Sequence, residues 1–191
     1  MTDSRFSVAT LIERLQPLVG TVQHVPKTTN KGAAGLALET LLGIPHSPAC
    51  LDCTDGELKA FPLKRLKSGA LVPKETVAIT MVCPENLRNQ PFAESRCRKK
   101  LERTLFVPYL WESNGDLRLF APVLFSAETH AGLFAALEAD YAELQRGALE
   151  GRLTGSIGVY LQTRTKGAGH GSTSRAFYVR PSFLRLLFPE L

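Results

Sequence analysis

The chain has 191 residues, of which 44% are hydrophobic and 21% charged, a composition typical of a globular protein and not of a disordered one. It has no run of about eighteen apolar residues, and Met1–Arg5 does not resemble the start of a signal peptide. We therefore expect a soluble, cytoplasmic single domain over residues 1–191, with its four cysteines as thiols. The formal charge of +5 favours a polyanionic partner.

Two helices are predicted near the N-terminus. Residues 7–19 form an amphipathic pattern that Ser7 caps, and a second helix is expected from Lys31 to Leu42, with Gly43 as its stop signal. The buried side of the second helix is predicted to consist of Leu38, Leu41 and Leu42. Glu39 falls beside this apolar stripe, where it is either an ordinary solvated glutamate or close enough to reach an adjacent sheet.

Residues 51–59 are predicted to form a strand, a tight turn and a second strand, with Asp-Gly at 55–56 as the turn. Side chains alternate across a strand, so Glu57 and Lys59 share one face. A turn one residue earlier would change the register, yet both registers place Asp52 on that same face. Two carboxylates and one amine therefore converge at the rim of a sheet.

This trio has a chemical use. Two hard carboxylate oxygens, from Asp52 and Glu57, can hold Mg²⁺, which keeps several waters and accepts phosphate oxygens as further ligands. The Lys59 ammonium can orient a metal-activated water and stabilise charge that develops on a phosphate. Asp55, in the turn, is an alternative metal ligand to Asp52. The simpler interpretation is an exposed hairpin with a cross-strand ion pair.

The rest of the chain alternates strands and helices. Predicted elements, in order, are a loop over 64–74, a buried strand over Thr76–Cys83, a loop over 84–91, a helix over about 92–104, strands over 105–111 and 117–124 around an Asn-Gly turn, a long acidic helix capped by Ser126, strands over 157–163 and 176–180, and a terminal helix from Pro181 to Phe188. The acidic side of the long helix is expected to face solvent.

Two segments concentrate positive charge. The predicted helix over 92–104 places four basic side chains on its outer face, which is either solvated or in contact with phosphates; they are Arg96, Lys99, Lys100 and Arg103. The glycine-rich loop over 164–172 carries Arg164 and Lys166 and precedes Tyr178 on the next strand. It lacks the Gly-Lys-Ser/Thr ending of a P-loop. A glycine-rich loop with basic side chains can instead enter a DNA groove and contact the bases there.

The cysteines do not predict a metal site. Cys50 and Cys53 are closely spaced, but Cys83 and Cys97 do not form the second pair that structural zinc requires. A cysteine nucleophile paired with a histidine (His24, His46, His130 or His170) has no local sequence signature in its favour. We expect the cysteines to pack as small apolar residues.

Several segments together resemble the MutH-like family of PD-(D/E)xK DNA endonucleases, which comprises MutH and related restriction enzymes. The matching segments, in chain order, are Lys31–Gly43, Asp52 with Gly56-Glu57-Leu58-Lys59, Arg98–Pro108, Tyr160–Lys166 and Ala176–Phe183. The resemblance implies a restriction-endonuclease-like α/β (α+β) fold, in which helices flank a central mixed β-sheet. It also implies Mg²⁺-dependent hydrolysis of DNA phosphodiester bonds.

By that resemblance the catalytic residues are Glu39, Asp52, Glu57 and Lys59, with Glu39, Asp52 and Glu57 as metal ligands. The expected DNA contacts come from Lys31, Arg96, Lys99, Lys100, Arg103, Arg164, Lys166 and Tyr178. Leu51 stands where the family has proline, and the loop before Asp52 differs, so we expect a restriction-type enzyme more than a repair enzyme. The implied partners are double-stranded DNA, a second copy of the chain on DNA, and a cognate methyltransferase or a mismatch-repair protein.

Overall fold

A computed structural model describes residues 5–25, 32–45, 49–113, 115–166 and 173–191, which form six α-helices and nine strands. In chain order these are α1 (Val8–Leu15), β1 (Val22–Gln23), α2 (Ala33–Leu42), β2 (Glu57–Arg65), β3 (Leu71–Pro73), β4 (Val77–Met81), α3 (Pro84–Asn89), α4 (Arg96–Leu101), β5 (Arg103–Trp111), β6 (Leu117–Leu119), β7 (Val123–Ser126), α5 (Ala131–Leu149), β8 (Leu161–Thr165), β9 (Arg175–Val179) and α6 (Pro181–Leu187). Among these helices, none has the length and apolar character needed to cross a bilayer.

The described chain divides into two compact units. The first contains the residues up to Lys74, residues 103–124 and Leu191, and the second contains residues 75–102 and 125–190. A single domain over residues 1–191 stays a prediction.

A mixed sheet flanked by helices forms the first unit, which confirms the predicted fold class. Its strand order is β1-β6-β5-β2-β3, and β7 also pairs with β5. Strands β2 and β5 are parallel, whereas β3 and β6 join their neighbours in antiparallel fashion. Helices α1 and α2 bury Leu11, Leu38 and Leu42 in one cluster with Leu58 and Leu105 of the central strands.

The two N-terminal helices largely follow the prediction. The hydroxyl of Ser7 caps α1, which ends at Leu15 and continues as a 3₁₀ turn that contains Pro17. Helix α2 ends at Gly43, which has a φ of 66°, a conformation that favours glycine. Leu41 is 40% exposed, so its predicted burial was wrong. Lys31, where this helix was predicted to begin, lies outside the described residues.

The predicted central hairpin was wrong in its first half. Residues 51–55 form bends instead of a strand, and β2 begins only at Glu57. The reason lies in the two aspartates: Asp52 Oδ2 accepts the Leu58 N–H at 3.2 Å, and Asp55 Oδ1 accepts the Val8 N–H at 2.7 Å. Such side-chain bonds to the backbone compete with strand pairing. The antiparallel neighbour of β2 is β3, within the predicted loop over 64–74.

The second unit is a three-stranded antiparallel sheet, ordered β4-β9-β8, with helices packed on it. The strands predicted near 76–83, 157–163 and 176–180 are all present, with shifted ends. Its core is aromatic: Phe92 lies 5.3 Å from Tyr141 between ring centroids, and Tyr141 stacks on Phe177 at 5.6 Å.

The single predicted helix over 92–104 was too long. Residues 92–94 form a 3₁₀ turn, Ser95 caps α4 through its hydroxyl, and the helix ends at Leu101. Arg103 already belongs to β5. Another helix, α3, opens at Pro84 within a predicted loop, because proline suits the first helical turn. The basic outer face of α4 therefore excludes Arg103.

The acidic helix also differs from the prediction. Ser126 lies in β7, where its hydroxyl accepts the Thr129 N–H at 3.1 Å, and α5 begins at Ala131. Asp140 does not face solvent, since it is only 5% exposed. Its carboxylate accepts three backbone N–H groups at 2.6–2.8 Å, those of residues 159, 160 and 161. This bridge fixes the entry of the chain into β8.

We predict that Asp140→Asn lowers the free energy of unfolding by roughly 1–3 kcal/mol. The substitution replaces one carboxylate oxygen by an NH2 group, which cannot accept a hydrogen bond, so backbone N–H groups lose their acceptor. Chemical denaturation measures the effect. Glu138→Gln, on the exposed side of the same helix, is the matched control and should change stability by about 0.5 kcal/mol or less. Equal stabilities of the two variants would contradict the structural role of Asp140.

Candidate functional site

Asp52, Glu57 and Lys59 converge where β2 begins. Lys59 Nζ donates to Glu57 Oε1 at 2.5 Å and lies 4.0 Å from Asp52 Oδ2. The Asp52 N–H donates to Glu57 Oε2 at 3.3 Å, and Asp52 Oδ2 accepts from Leu58 N. The three side chains therefore meet, although they come from a loop and one strand instead of two strands.

The three groups differ in exposure. The Glu57 side chain is 1% exposed, that of Lys59 20% and that of Asp52 37%. A buried carboxylate without a partner is costly, so the Lys59 ammonium offsets the burial of Glu57. Asp52 Oδ1 has no hydrogen-bond partner among the residues that the structure describes. That oxygen remains available to a cation at the rim of the site.

Asp55 is engaged elsewhere. Its Oδ1 accepts from Val8 N at the start of α1, and its Oδ2 lies 3.4 Å from Arg103 Nε. Arg103 Nε is buried and has no hydrogen-bond partner of good geometry among the described residues, so this ion pair is its compensation. The structure therefore brings Asp52, and not Asp55, beside Glu57 and Lys59. Arg103, predicted to contact DNA, instead pairs with an acidic residue of this unit.

The carboxylate oxygens of Asp52 and Glu57 fit a divalent cation that prefers hard oxygen ligands. Two carboxylates already surround one positive charge, the Lys59 ammonium, and one of them has a free oxygen. Mg²⁺ typically binds through one or two carboxylates and keeps several waters, so Asp52 and Glu57 suffice.

Glu39 does not join this cluster. In the described part of the chain, no three His, Cys, Asp or Glu side chains lie close enough to form a metal site together. Glu39 is exposed on α2, whose apolar side packs on the sheet with Leu58. Its role as a third metal ligand stays a prediction.

The cysteine nearest the site is not a nucleophile. Burial, followed by the charges of Asp52, Asp55 and Glu57, raises the pKa of the Cys53 thiol to about 12. The reactive thiolate is therefore scarce at neutral pH. All four cysteines are free, as predicted, and the candidate histidines His46 and His170 lie outside the described residues.

Helix α4 of the second unit carries exposed positive charge. Arg96 and Lys99 are exposed and Lys100 is half-buried. Arg98, on the same short helix, pairs with Glu102 at 2.9 Å, so it is already neutralised. Arg103, the fourth residue predicted for this basic surface, lies in β5 and pairs with Asp55. The predicted contact residue Lys31 lies outside the described residues.

Strands β8 and β9 hold the other basic candidates. Arg164 is exposed near the end of β8 and donates to Thr76 Oγ1 at 3.3 Å. Tyr178 of β9 is half-buried and opposite Gln162, and cross-strand register places it on the same face as Arg164. Lys166 follows β8 and is exposed. Most of the predicted glycine-rich loop, residues 167–172, lies outside the described residues.

Part of the chain matches the sequence profile of a known family. Residues 48–129, which include Asp52, Glu57 and Lys59, match the sequence profile described as DNA mismatch repair enzyme MutH. No curated protein matches the chain. Among solved structures, the chain is similar to a complex of the restriction endonuclease MvaI with its cognate DNA substrate, with a TM-score of 0.48 and 14% identity over 96% of each chain. A likeness this distant assigns no role to residues of this chain.

We predict that Lys59→Met lowers the free energy of unfolding in metal-free buffer by on the order of 3 kcal/mol, because it leaves the buried Glu57 carboxylate without its cation. The double variant Glu57→Gln with Lys59→Met should recover part of that loss. Lys64→Met is the control, since Lys64 is an exposed residue of the same strand. Denaturant titrations would contradict the pairing if Lys59→Met were as stable as Lys64→Met.

Proposed function

We propose that the chain is a DNA endonuclease of the MutH-like family, whose profile residues 48–129 match, and that it hydrolyses phosphodiester bonds at a short duplex sequence with Mg²⁺ as its cofactor. The observation that carries this proposal is the convergence of the Asp52, Glu57 and Lys59 side chains at the start of β2. The family profile covers that cluster, so the sequence match and the geometry support the same site.

In this proposal Asp52 and Glu57 hold the metal, and Lys59 places the attacking water. Bound Mg²⁺ would supply Lewis-acid stabilisation of the phosphate and a lowered pKa of the coordinated water. With a metal held by Asp52 and Glu57, Lys59 would no longer be needed to neutralise Glu57, and its ammonium could donate to the water or to a phosphate oxygen. Glu39 is proposed to assist as a metal ligand or a general base.

Binding of DNA is proposed to involve the second unit. Arg96, Lys99 and Lys100 on α4 would contact phosphates, which fix register without reading sequence. Arg164 and Lys166, with Tyr178 on the neighbouring strand, would read base edges, because bidentate contacts from basic side chains to guanine are the commonest specific contact. A second copy of the chain on DNA is also proposed.

We propose a restriction-type role, with a cognate methyltransferase as its partner. The alternative is a strand-nicking enzyme that works with mismatch-repair proteins, which the description of the matching family favours. A non-catalytic DNA-binding module is a further alternative, and it requires only the basic side chains. The products formed on supercoiled plasmid distinguish all three.

We predict metal-dependent cleavage of methylation-free plasmid that disappears in EDTA. Asp52→Asn, Glu57→Gln and Lys59→Ala should each reduce the single-turnover rate by roughly 10²–10³ or more, because each removes part of one transition-state assembly. Asp55→Asn keeps the acceptor for Val8 N and should retain most of the activity. Gel electrophoresis and end sequencing measure the products: linear DNA indicates a restriction enzyme and nicked circles a repair-type enzyme.

Activity lost in Asp55→Asn but kept in Asp52→Asn would show that the other aspartate binds the metal. DNA that is bound tightly but left uncut, over many unmethylated sequences and divalent ions, would favour the binding module.

We also predict that the two basic groups respond differently to substitution. Arg164→Ala should cost roughly 1–3 kcal/mol on the cognate duplex and little on scrambled DNA, because it removes a base contact. Lys99→Ala should weaken binding to both duplexes alike and reduce the slope of log K against log salt concentration by about one. Fluorescence anisotropy in Ca²⁺ across a salt series measures both effects. Arg185→Ala, at an exposed arginine on α6, is the control. If Arg164→Ala lowered the affinity for both duplexes equally, the proposed role of Arg164 in specificity would be wrong.

A further inference from the structure

The aspartate of the candidate site stands on a segment without regular secondary structure. Residues 51–56, here called the Asp52 loop, contain only bends before β2 begins. Glu57 and Lys59, by contrast, are fixed by the parallel pairing of β2 with β5. Two hydrogen bonds tie Asp52 to β2, from its own N–H to Glu57 Oε2 and from Leu58 N to its Oδ2, but the loop has no strand ladder to hold it. The N-terminal segment supplies further contacts.

A single guanidinium holds the backbone on both sides of Asp52. Arg5 Nη1 donates to the carbonyl of Leu51 at 2.8 Å and to that of Cys53 at 3.1 Å. These two carbonyls come from the residues on either side of the aspartate, so the Leu51–Asp52 and Cys53–Thr54 peptide groups are bound to the same cation. Arg5 is half-buried, and charge-assisted bonds in such a setting are stronger than neutral ones.

Neighbouring contacts extend this attachment. Thr54 N donates to Phe6 O at 2.9 Å, and the Asp55 carboxylate accepts from Val8 N. At Gly56 an added Cβ would lie 2.7 Å from both Arg103 O and Val8 Cγ2, so the loop passes directly against α1 and β5. Residues 5–8 therefore run alongside the loop and bind it at successive positions.

We propose that Arg5 is a positioning residue that sets the Asp52 carboxylate for metal binding. This inference rests on the proposed function of the Asp52 and Glu57 pair. Arg5 acts through the two carbonyls and does not itself touch the metal or DNA. Loss of the guanidinium removes two of the contacts that hold the loop, so that a bound cation must order the loop further, and the affinity for metal falls by that ordering cost.

The test measures binding of Mn²⁺ by calorimetry and single-turnover cleavage of plasmid at saturating metal, in a double-variant cycle. Arg5→Met should weaken Mn²⁺ binding about tenfold and slow cleavage. Affinity for duplex DNA in Ca²⁺ should change less than twofold. In an Asp52→Asn background, Arg5→Met should cause no further loss of Mn²⁺ affinity, because the residue acts through Asp52. Arg118→Met is the control: Arg118 also donates to a loop carbonyl of this unit, that of Gly20, and does not touch the Asp52 loop.

The proposal is overturned if Arg5→Met matches Arg118→Met in both measurements, or if its loss is additive with that of Asp52→Asn. Should Arg5→Met fail to fold, Arg5→Lys takes its place in the cycle. Lysine keeps the charge, but its shorter side chain does not bring its nitrogen to the position of Arg5 Nη1, which donates both bonds. We therefore expect a loss of a few fold that vanishes with Asp52→Asn, and no loss or an additive loss would contradict the proposal. If the unsubstituted protein neither binds Mn²⁺ nor cuts DNA, it is the proposed function that fails.

Discussion

The buried Glu57 carboxylate is the constraint on which the candidate site depends. Its charge is removed from water, and the Lys59 ammonium, two positions along the same strand, offsets it. Both groups share a face of β2 because side chains alternate, and β2 is held by parallel pairing with β5. The strand therefore provides a rigid half of the site, and the Asp52 loop provides a half that other residues must position.

Convergence of the trio could be predicted although the predicted hairpin was wrong. Asp52 and Lys59 are close in sequence, and both two-residue turns that the sequence offers between them return the aspartate to the face that carries Glu57 and Lys59. The reversal is built by side-chain bonds to the backbone instead of strand pairing, since Asp52 accepts from Leu58 N. Local sequence thus determined which groups meet, while the form of the turn depended on which backbone N–H donors the two aspartates bind.

Long-range partners could not be predicted from periodicity or charge. Arg5 binds carbonyls more than forty positions away, and Asp55 pairs with Arg103 from a distant strand. Asp140 looked like one more solvated acid of an acidic helix, yet it holds three N–H groups at the start of β8. The sequence alone does not show whether a charged side chain contacts water or a buried backbone group, because that depends on tertiary packing.

The charge of the trio explains why the proposed site would need a metal. Asp52, Glu57 and Lys59 comprise two carboxylates and one ammonium, a net charge of about −1 when all three are ionised. A phosphodiester at that position would meet repulsion, and the Lys59 ammonium is already bound to Glu57. A divalent cation held by Asp52 and Glu57 would reverse the sign of this charge, and the ammonium could then donate to a water or to a phosphate oxygen. In the proposed function, the same lysine would thus stabilise a buried carboxylate in the metal-free protein and the substrate in the metal-bound one.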